Sequence, residues 1–106
     1  MFSKKQRLRT SEYDEVFNLG KTIKTKFFLL KYKKNTLLFP RFAVVIPKKQ
    51  SKLSVKRHLY KRMFINFLKK TELVGKSFDS VFIFNKQAFD LKEKEFILII
   101  NDLELE

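Results

Sequence analysis

The chain has no cysteine, so disulfides and thiolate metal sites are excluded. Two glycines and two prolines in 106 residues are too few for long flexible linkers. No apolar run approaches the roughly 18 residues of a bilayer-spanning helix. The opening MFSKKQRLR has no apolar stretch behind its charges, unlike a secretory signal. These absences predict a protein of the cytoplasm. There is one histidine, His58, and no acidic residue lies between Glu15 and Glu72. Metal-dependent nucleases need clustered carboxylates, and acid–base hydrolysis needs a histidine with an orienting partner. The basic half of the chain offers neither. Glu12, Asp14 and Glu15 do cluster, but the first turn of a helix accounts for them. An autonomous nuclease is therefore disfavoured, and no helix-turn-helix, zinc or zipper spacing points to DNA.

What is present is positive charge. Lys and Arg number 24 against 11 Asp and Glu, giving +13 and a pI near 10.1. Sixteen of those cations fall in the acid-free stretch after Glu15. A one-sign field repels itself and weakens the compact state, and a polyanion is the simplest partner to relieve it. The chain is nonetheless no basic tail. It is 44% hydrophobic with 13 Phe, which predicts one folded domain over 1–106.

Residues 1–9 read as a basic arm carrying Lys4, Lys5, Arg7 and Arg9 around Leu8. Thr10 or Ser11 then caps a short helix over about 11–19, with Tyr13, Val16 and Phe17 on one face and Gly20 as its stop. From Thr22, KTIKTKFFLLKYKK has strand character. Phe28, Leu30 and Tyr32 fall on one face, assigned to core, and Phe27, Leu29 and Lys31 on the other. A further short strand before Phe27 is possible. Asn35 and Thr36 mark a turn, RFAVVIP reads as a strand buried on both faces, and Pro47 ends it. In the next segment Leu59, Tyr60, Met63, Phe64, Phe67 and Leu68 form one helical stripe, with His58, Lys61, Arg62 and Lys69 opposite and Arg57 at the border. Gly75 lies in a loop, SVFIF over 80–84 is a strand, and Asp90 caps a last helix from about Leu91 to Asp102. The class is α+β.

The informative unit is PKKQSKLSVKRHLYKR, residues 47–62, which holds Lys48, Lys49, Lys52, Lys56, Arg57, His58, Lys61 and Arg62. A helix start offers unpaired N–H groups and the positive dipole end, and Arg can clamp a phosphate bidentately where Lys acts as a point charge. The bland alternative is an amphipathic helix with a solvated face, for which a face without any acid is unusual.

In these residues the chain resembles the bacterial ribonuclease P protein subunit. That family has a strand ending in Ser-Lys-Lys, about eight residues, then Arg-Asn-Arg with further basic residues on the same helix. Val45-Ile46-Pro47-Lys48-Lys49, Arg57-His58-Leu59 and Lys61-Arg62 stand in those places. RLRTSEYDEVFNLGKTIKTKFFLLKY matches the family's opening, and SVFIFNKQAFDLKEKEF its closing strand, loop and helix. The departures are Pro47 for Ser, His58 for Asn, Leu59 for the second Arg and Ile65 for a basic residue; Leu59 reads as packing on the core. The resemblance implies a single-domain α-β-β-(β)-α-β-α sandwich with a mostly antiparallel sheet and a basic crossover helix, like domain 2 of ribosomal protein S5. It implies a non-catalytic subunit of an endoribonuclease whose RNA, with RNA-bound Mg²⁺, removes the 5′ leader of precursor tRNA. Catalytic RNA would bind the 48–62 cations. The single-stranded leader would lie in a cleft of Tyr13, Phe17, Phe27, Leu29 and Lys31, where aromatic faces stack on bases and Lys tracks the backbone. The alternative is a ribosomal or other structural RNA-binding protein without a role in cleavage.

Overall fold

The structure, a computed structural model, describes residues 6–103 and Leu105. Lys4 and Lys5 of the predicted arm lie outside the described residues. The elements run α1 (Thr10–Leu19), β1 (Lys21–Lys24), β2 (Phe28–Lys34), β3 (Arg41–Val45), α2 (Ser54–Leu68), β4 (Phe78–Phe84) and α3 (Glu93–Asn101), with short 3₁₀ turns at Glu72–Gly75 and Lys86–Asp90. The strands form one sheet in the order β1-β2-β4-β3. The β1–β2 and β2–β4 pairs are antiparallel, and β3 joins β4 in parallel after the α2 crossover. The predicted α-β-β-(β)-α-β-α order is thus observed, and the short extra strand is β1.

The strand pleat sorts the sheet into two faces. Phe28, Leu30 and Tyr32 of β2 sit opposite Phe84, Phe82 and Ser80 of β4, and Phe42 and Val44 of β3 continue those rows. This inner face carries the core. Phe64 of α2 stacks on Phe84 with centroids 3.9 Å apart, and Phe96 of α3 reaches Phe64 at 5.8 Å. Most of the Phe-rich composition is absorbed here. The outer face presents Leu29, Lys31 and Lys33 beside Ile83, Val81 and Asp79, then Val45, Ala43 and Arg41. Among the described elements, α1 covers it, through the fully buried Val16.

Four local expectations are corrected. RFAVV alternates between buried and half-buried, because β3 is an edge strand; the strand buried on both faces is β4, where Phe78 to Phe82 are continuously buried. The N-cap of α1 is Arg9, not Thr10 or Ser11, and the Glu12 side chain closes the turn by accepting the Arg9 backbone N–H at 2.7 Å. Asp90 ends a 3₁₀ turn instead of capping the last helix, which starts after Lys92. Gly20 does end α1, but with ordinary φ of −76°, so left-handed backbone is not its reason. A Cβ there would meet the carbonyl oxygens of Val16 and of Tyr32, the latter at 2.7 Å. The glycine lets the end of α1 press against β2.

One polar node ties α1 to the sheet. Asp79, buried in β4, accepts Arg41 Nε at 2.8 Å and Nη2 at 2.6 Å, and Asn35 Nδ2 at 2.9 Å. The third Arg41 nitrogen, Nη1, donates to Glu12 of α1. The hydrogen bond to Asp79 holds the Arg41 guanidinium above its ordinary pKa, against the desolvation that lowers it. Arg41→Ala should lower unfolding stability by about 2–3 kcal/mol in urea titration, since it strands a buried carboxylate. Removing Asp79 as well should cost less than the sum of the two single changes.

Candidate nucleic-acid interface

The residues singled out from the sequence fall into two groups on either side of β3. On the outer face, α1 places Tyr13 and Phe17 one helical turn apart, and their rings stack at 5.8 Å and 14°. Lys31 rises from β2 to set its Nζ 4.7 Å from the Phe17 ring centre, a cation–π contact. Thr22, directly opposite on β1, accepts a hydrogen bond from that Nζ at 3.2 Å. Phe17 is 37% exposed, so its ring is available to a further stacking partner. Leu29, one pleat along, lines a hollow of about 210 Å³ with Lys24, Lys49 and Gln50. Lys49 therefore neighbours the predicted cleft and not the polar face of α2.

Phe27 does not join this row. It precedes β2, in a turn where the Thr25 hydroxyl accepts the backbone N–H groups of Phe27 and Phe28, and it packs against the core. The alternation that put Phe27 with Leu29 and Lys31 begins only at Phe28.

The second group surrounds the free edge of β3. His58, Lys61, Arg62 and Ile65 of α2 form one wall of a trench of about 410 Å³, and Arg7, Leu8 and Tyr13 form the other. The trench continues past Val45 and Ile46 to Ser54 and Arg57. Lys61 and Arg62 are exposed, and no acidic residue lines either part or the Leu29 hollow. Arg57 Nη1 donates to the carbonyls of Ser51 at 2.8 Å and Lys52 at 3.0 Å, pinning the loop that leads into α2. Part of its fork is thus spent on the protein. Lys48 and Lys49 occupy a turn closed by Gln50 N–H on the Pro47 carbonyl at 3.0 Å. Lys52 and Lys56 are exposed, and about 100° per residue puts Lys56 half a turn round α2 from Ile65, away from the trench. Arg9 is exposed at the start of α1.

Leu59 is a further correction. It is 58% exposed and does not pack on the core, because it lies half a turn round the helix from the buried Leu68. The sequence reading also missed Thr22, Lys24, Arg41 and Asp79. The first two become legible only from the β1–β2 register, and the last two only once β3 lies beside β4.

Acids are placed so as not to dilute this surface. Glu12 and Glu15 pair with Arg41 and Lys33 beneath α1, and Glu93 pairs with Lys70 between α3 and the end of α2. The exposed pairs, Lys33–Glu15 and Lys70–Glu93, contribute little stability, about 0–1 kcal/mol each. Their effect here is to leave the trench and the Phe17 platform cationic.

The family model described as Ribonuclease P matches residues 2–103. The ribonuclease P protein component of Vibrio vulnificus is 31% identical over 103 residues, covering 96% of this chain and 87% of the relative. That of Aliivibrio salmonicida is 30% identical over 103 residues, covering 96% and 88%. Among solved structures, the RNase P protein from Thermotoga maritima in complex with 1-(4-fluorophenyl)-2-thiourea superimposes with a TM-score of 0.76 at 21% identity, over 92% of this chain and 100% of that one. The Staphylococcus aureus RNase P protein gives 0.72 at 18% identity, over 92% and 95%. At these identities the solved structures establish the shared fold.

The geometry separates Phe17 from its buried neighbour. Val16→Ala should cost about 1–3 kcal/mol of unfolding free energy by cavity formation, whereas Phe17→Ala should cost less than about 1 kcal/mol, since exposed positions tolerate change. Equal losses in thermal or urea unfolding would make Phe17 a core residue.

Proposed function

The chain belongs to the ribonuclease P protein family, and on that premise we propose that it is the protein subunit of a ribonucleoprotein that removes the 5′ leader from precursor tRNA. The observation that carries the reading is the pairing of two surfaces with different chemistry. The α2 flank bearing Arg57, His58, Lys61 and Arg62 is cationic and unmixed with acid, which suits the closely spaced phosphates of a folded RNA. The Tyr13–Phe17–Lys31 platform, extended by Leu29, suits a strand whose bases are unstacked, because a ring face accepts any base and the ammonium follows the backbone. A purely architectural RNA-binding protein needs the first surface and has no use for the second.

In this reading the catalytic RNA docks on α2 with Lys48, Lys52 and Lys56 around it, and the arm, with Lys4, Lys5, Arg7 and Arg9, adds long-range attraction. The leader lies on the outer face of the sheet. The chain itself does no chemistry. Mg²⁺ serves the holoenzyme as an RNA-bound ion. What the protein contributes is affinity and position: it neutralises phosphate repulsion between two RNAs and holds the leader straight beyond the scissile bond. The described residues include no helix long and apolar enough to cross a membrane, and the place of action that fits tRNA processing is the cytoplasm.

Reconstitution tests the reading. Mixed with a bacterial ribonuclease P RNA at low Mg²⁺, the protein should restore leader removal; unrescued cleavage alongside tight RNA binding would favour an architectural role. Affinity for the catalytic RNA should fall steeply with salt, and Lys61→Ala or Arg62→Ala should each flatten the log–log slope by about one. Phe17→Ala should weaken substrate binding only when the leader is present, by about 1–3 kcal/mol per stacked base, and should spare assembly with the catalytic RNA.

A further inference from the structure

The trench beside β3 contains hydrogen-bonding groups that the Phe17 platform lacks. Arg7 bridges Phe42 in parallel, and the Phe42 carbonyl accepts the Leu8 N–H at 3.1 Å, so Phe42 directs its carbonyl to the free side of β3. Backbone direction alternates along a parallel strand. Val44, two residues on, therefore turns its N–H and C=O to that same side, away from β4. The arm does not reach it, because the chain turns into α1 at Thr10. Beyond Val44, the strand ends at Val45, so Ile46, the next residue of that alternation, lies outside it and directly before Pro47. The floor of the trench thus presents one residue's donor and acceptor, side by side.

Around that pair the walls have mixed character. Leu8 and Ile65 are apolar, Tyr13 adds a ring, and Arg7, Lys61 and Arg62 supply charge. The volume of about 410 Å³ lies in the range of sites for small planar ligands. A single adjacent donor and acceptor match the edge of one nucleobase, which offers the complementary pair. A peptide adding as a strand would need a longer row of free backbone groups than Val44 provides, and the cations favour phosphate over an uncharged chain.

Tyr13 links this trench to the outer face, because the ring that lines it also stacks on Phe17. We propose that the free edge of β3 is a second subsite for single-stranded RNA, holding one unpaired leader nucleotide beyond the one on Phe17. Its base lies against the Val44 backbone between Tyr13 and Ile65, and its phosphates lie toward Arg7 and the near side of Lys61 and Arg62, whose other side meets the catalytic RNA. This deepens the leader-binding reading above and rests on it. The platform accepts any base, whereas the trench distinguishes bases by how well their edges meet a fixed donor and acceptor.

The absence of native cysteine makes single-cysteine variants clean probes. Ile65→Cys in the trench and Leu29→Cys on the outer face would each carry a thiol-linked photo-crosslinker in the reconstituted holoenzyme with labelled precursor tRNA. Leu8→Cys, on the opposite wall of the trench, serves if Ile65→Cys unfolds. Leu29→Cys and the trench variant should both reach the leader, at different nucleotides. Replacing the trench nucleotide by an abasic one should then weaken substrate binding roughly 5- to 150-fold, the range for loss of one stacked base. Crosslinks from the trench to the catalytic RNA alone, or to no RNA, would overturn the second subsite while Leu29→Cys still reports leader binding. An abasic substitution without effect would overturn it as well, leaving the cations as mere guards of an open strand edge. If neither variant reaches the leader, the leader-binding reading itself fails.

Discussion

The N-terminal half of α1 is tied to the sheet by one guanidinium, while Val16 and Gly20 pack the rest of the helix. Arg41 spends Nε and Nη2 on the Asp79 carboxylate of the neighbouring strand and Nη1 on Glu12 of the helix above. A planar fork with donors on two sides can bind two carboxylates in fixed directions, which a lysine ammonium cannot. Asp79 is in turn oriented by Asn35, whose side-chain oxygen accepts the Leu37 N–H and whose amide also donates to the Phe39 carbonyl, so the β2–β3 connection is held by the same node. Because α1 is docked at this end of the outer face, the other end stays uncovered. The Phe17 platform, the Leu29 hollow and the near wall of the trench all follow from that placement.

Electrostatics gives the arrangement its direction. With a net charge of +13, most cations have no acid to pair with and repel one another, a strain that a polyanion relieves. Glu12 and Glu15 are used beneath α1 and Glu93 along α3, where they draw helices onto the body of the protein. The trench and the Leu29 hollow are left lined by cations without an acid. Binding a polyanion to them stabilises the folded chain by mass action, since the unfolded chain cannot present the same array. In the proposed assembly, RNA binding and folding of the protein are coupled through the same charges.

The basic motif of residues 47–62 is less uniform in space than in sequence. His58, Lys61 and Arg62 share a flank of α2 that looks onto the β3 edge. Lys49 faces the Leu29 side, Lys56 the opposite flank, and Arg57 braces its own loop. Leu59 stands exposed where the resembled family has an arginine, next to Arg62 and Met63 in a shallow depression toward α3. A helix distributes consecutive residues around its circumference, so a charged run cannot act as one patch. The chain nevertheless brings cations to bear on both sides of β3, and that division matches two RNA surfaces better than one.

Much was determined by local pattern alone. Period-2 alternation placed Phe28, Leu30 and Tyr32 in the core and Leu29 and Lys31 opposite. Period-3.6 spacing placed Phe64 and Leu68 inside and Lys61 and Arg62 outside. These readings succeeded because side-chain direction in a helix or strand follows from the backbone repeat. Which strand lies at the edge, which acid meets Arg41, why Gly20 tolerates no side chain and where Phe27 rests were decided by tertiary structure. Each depends on the approach of segments far apart in the chain, Arg41 to Asp79 and Val16 to Tyr32 among them, and no local repeat encodes that distance. The trench belongs to this second class, since its floor is backbone from β3 and its walls come from the arm, α1 and α2.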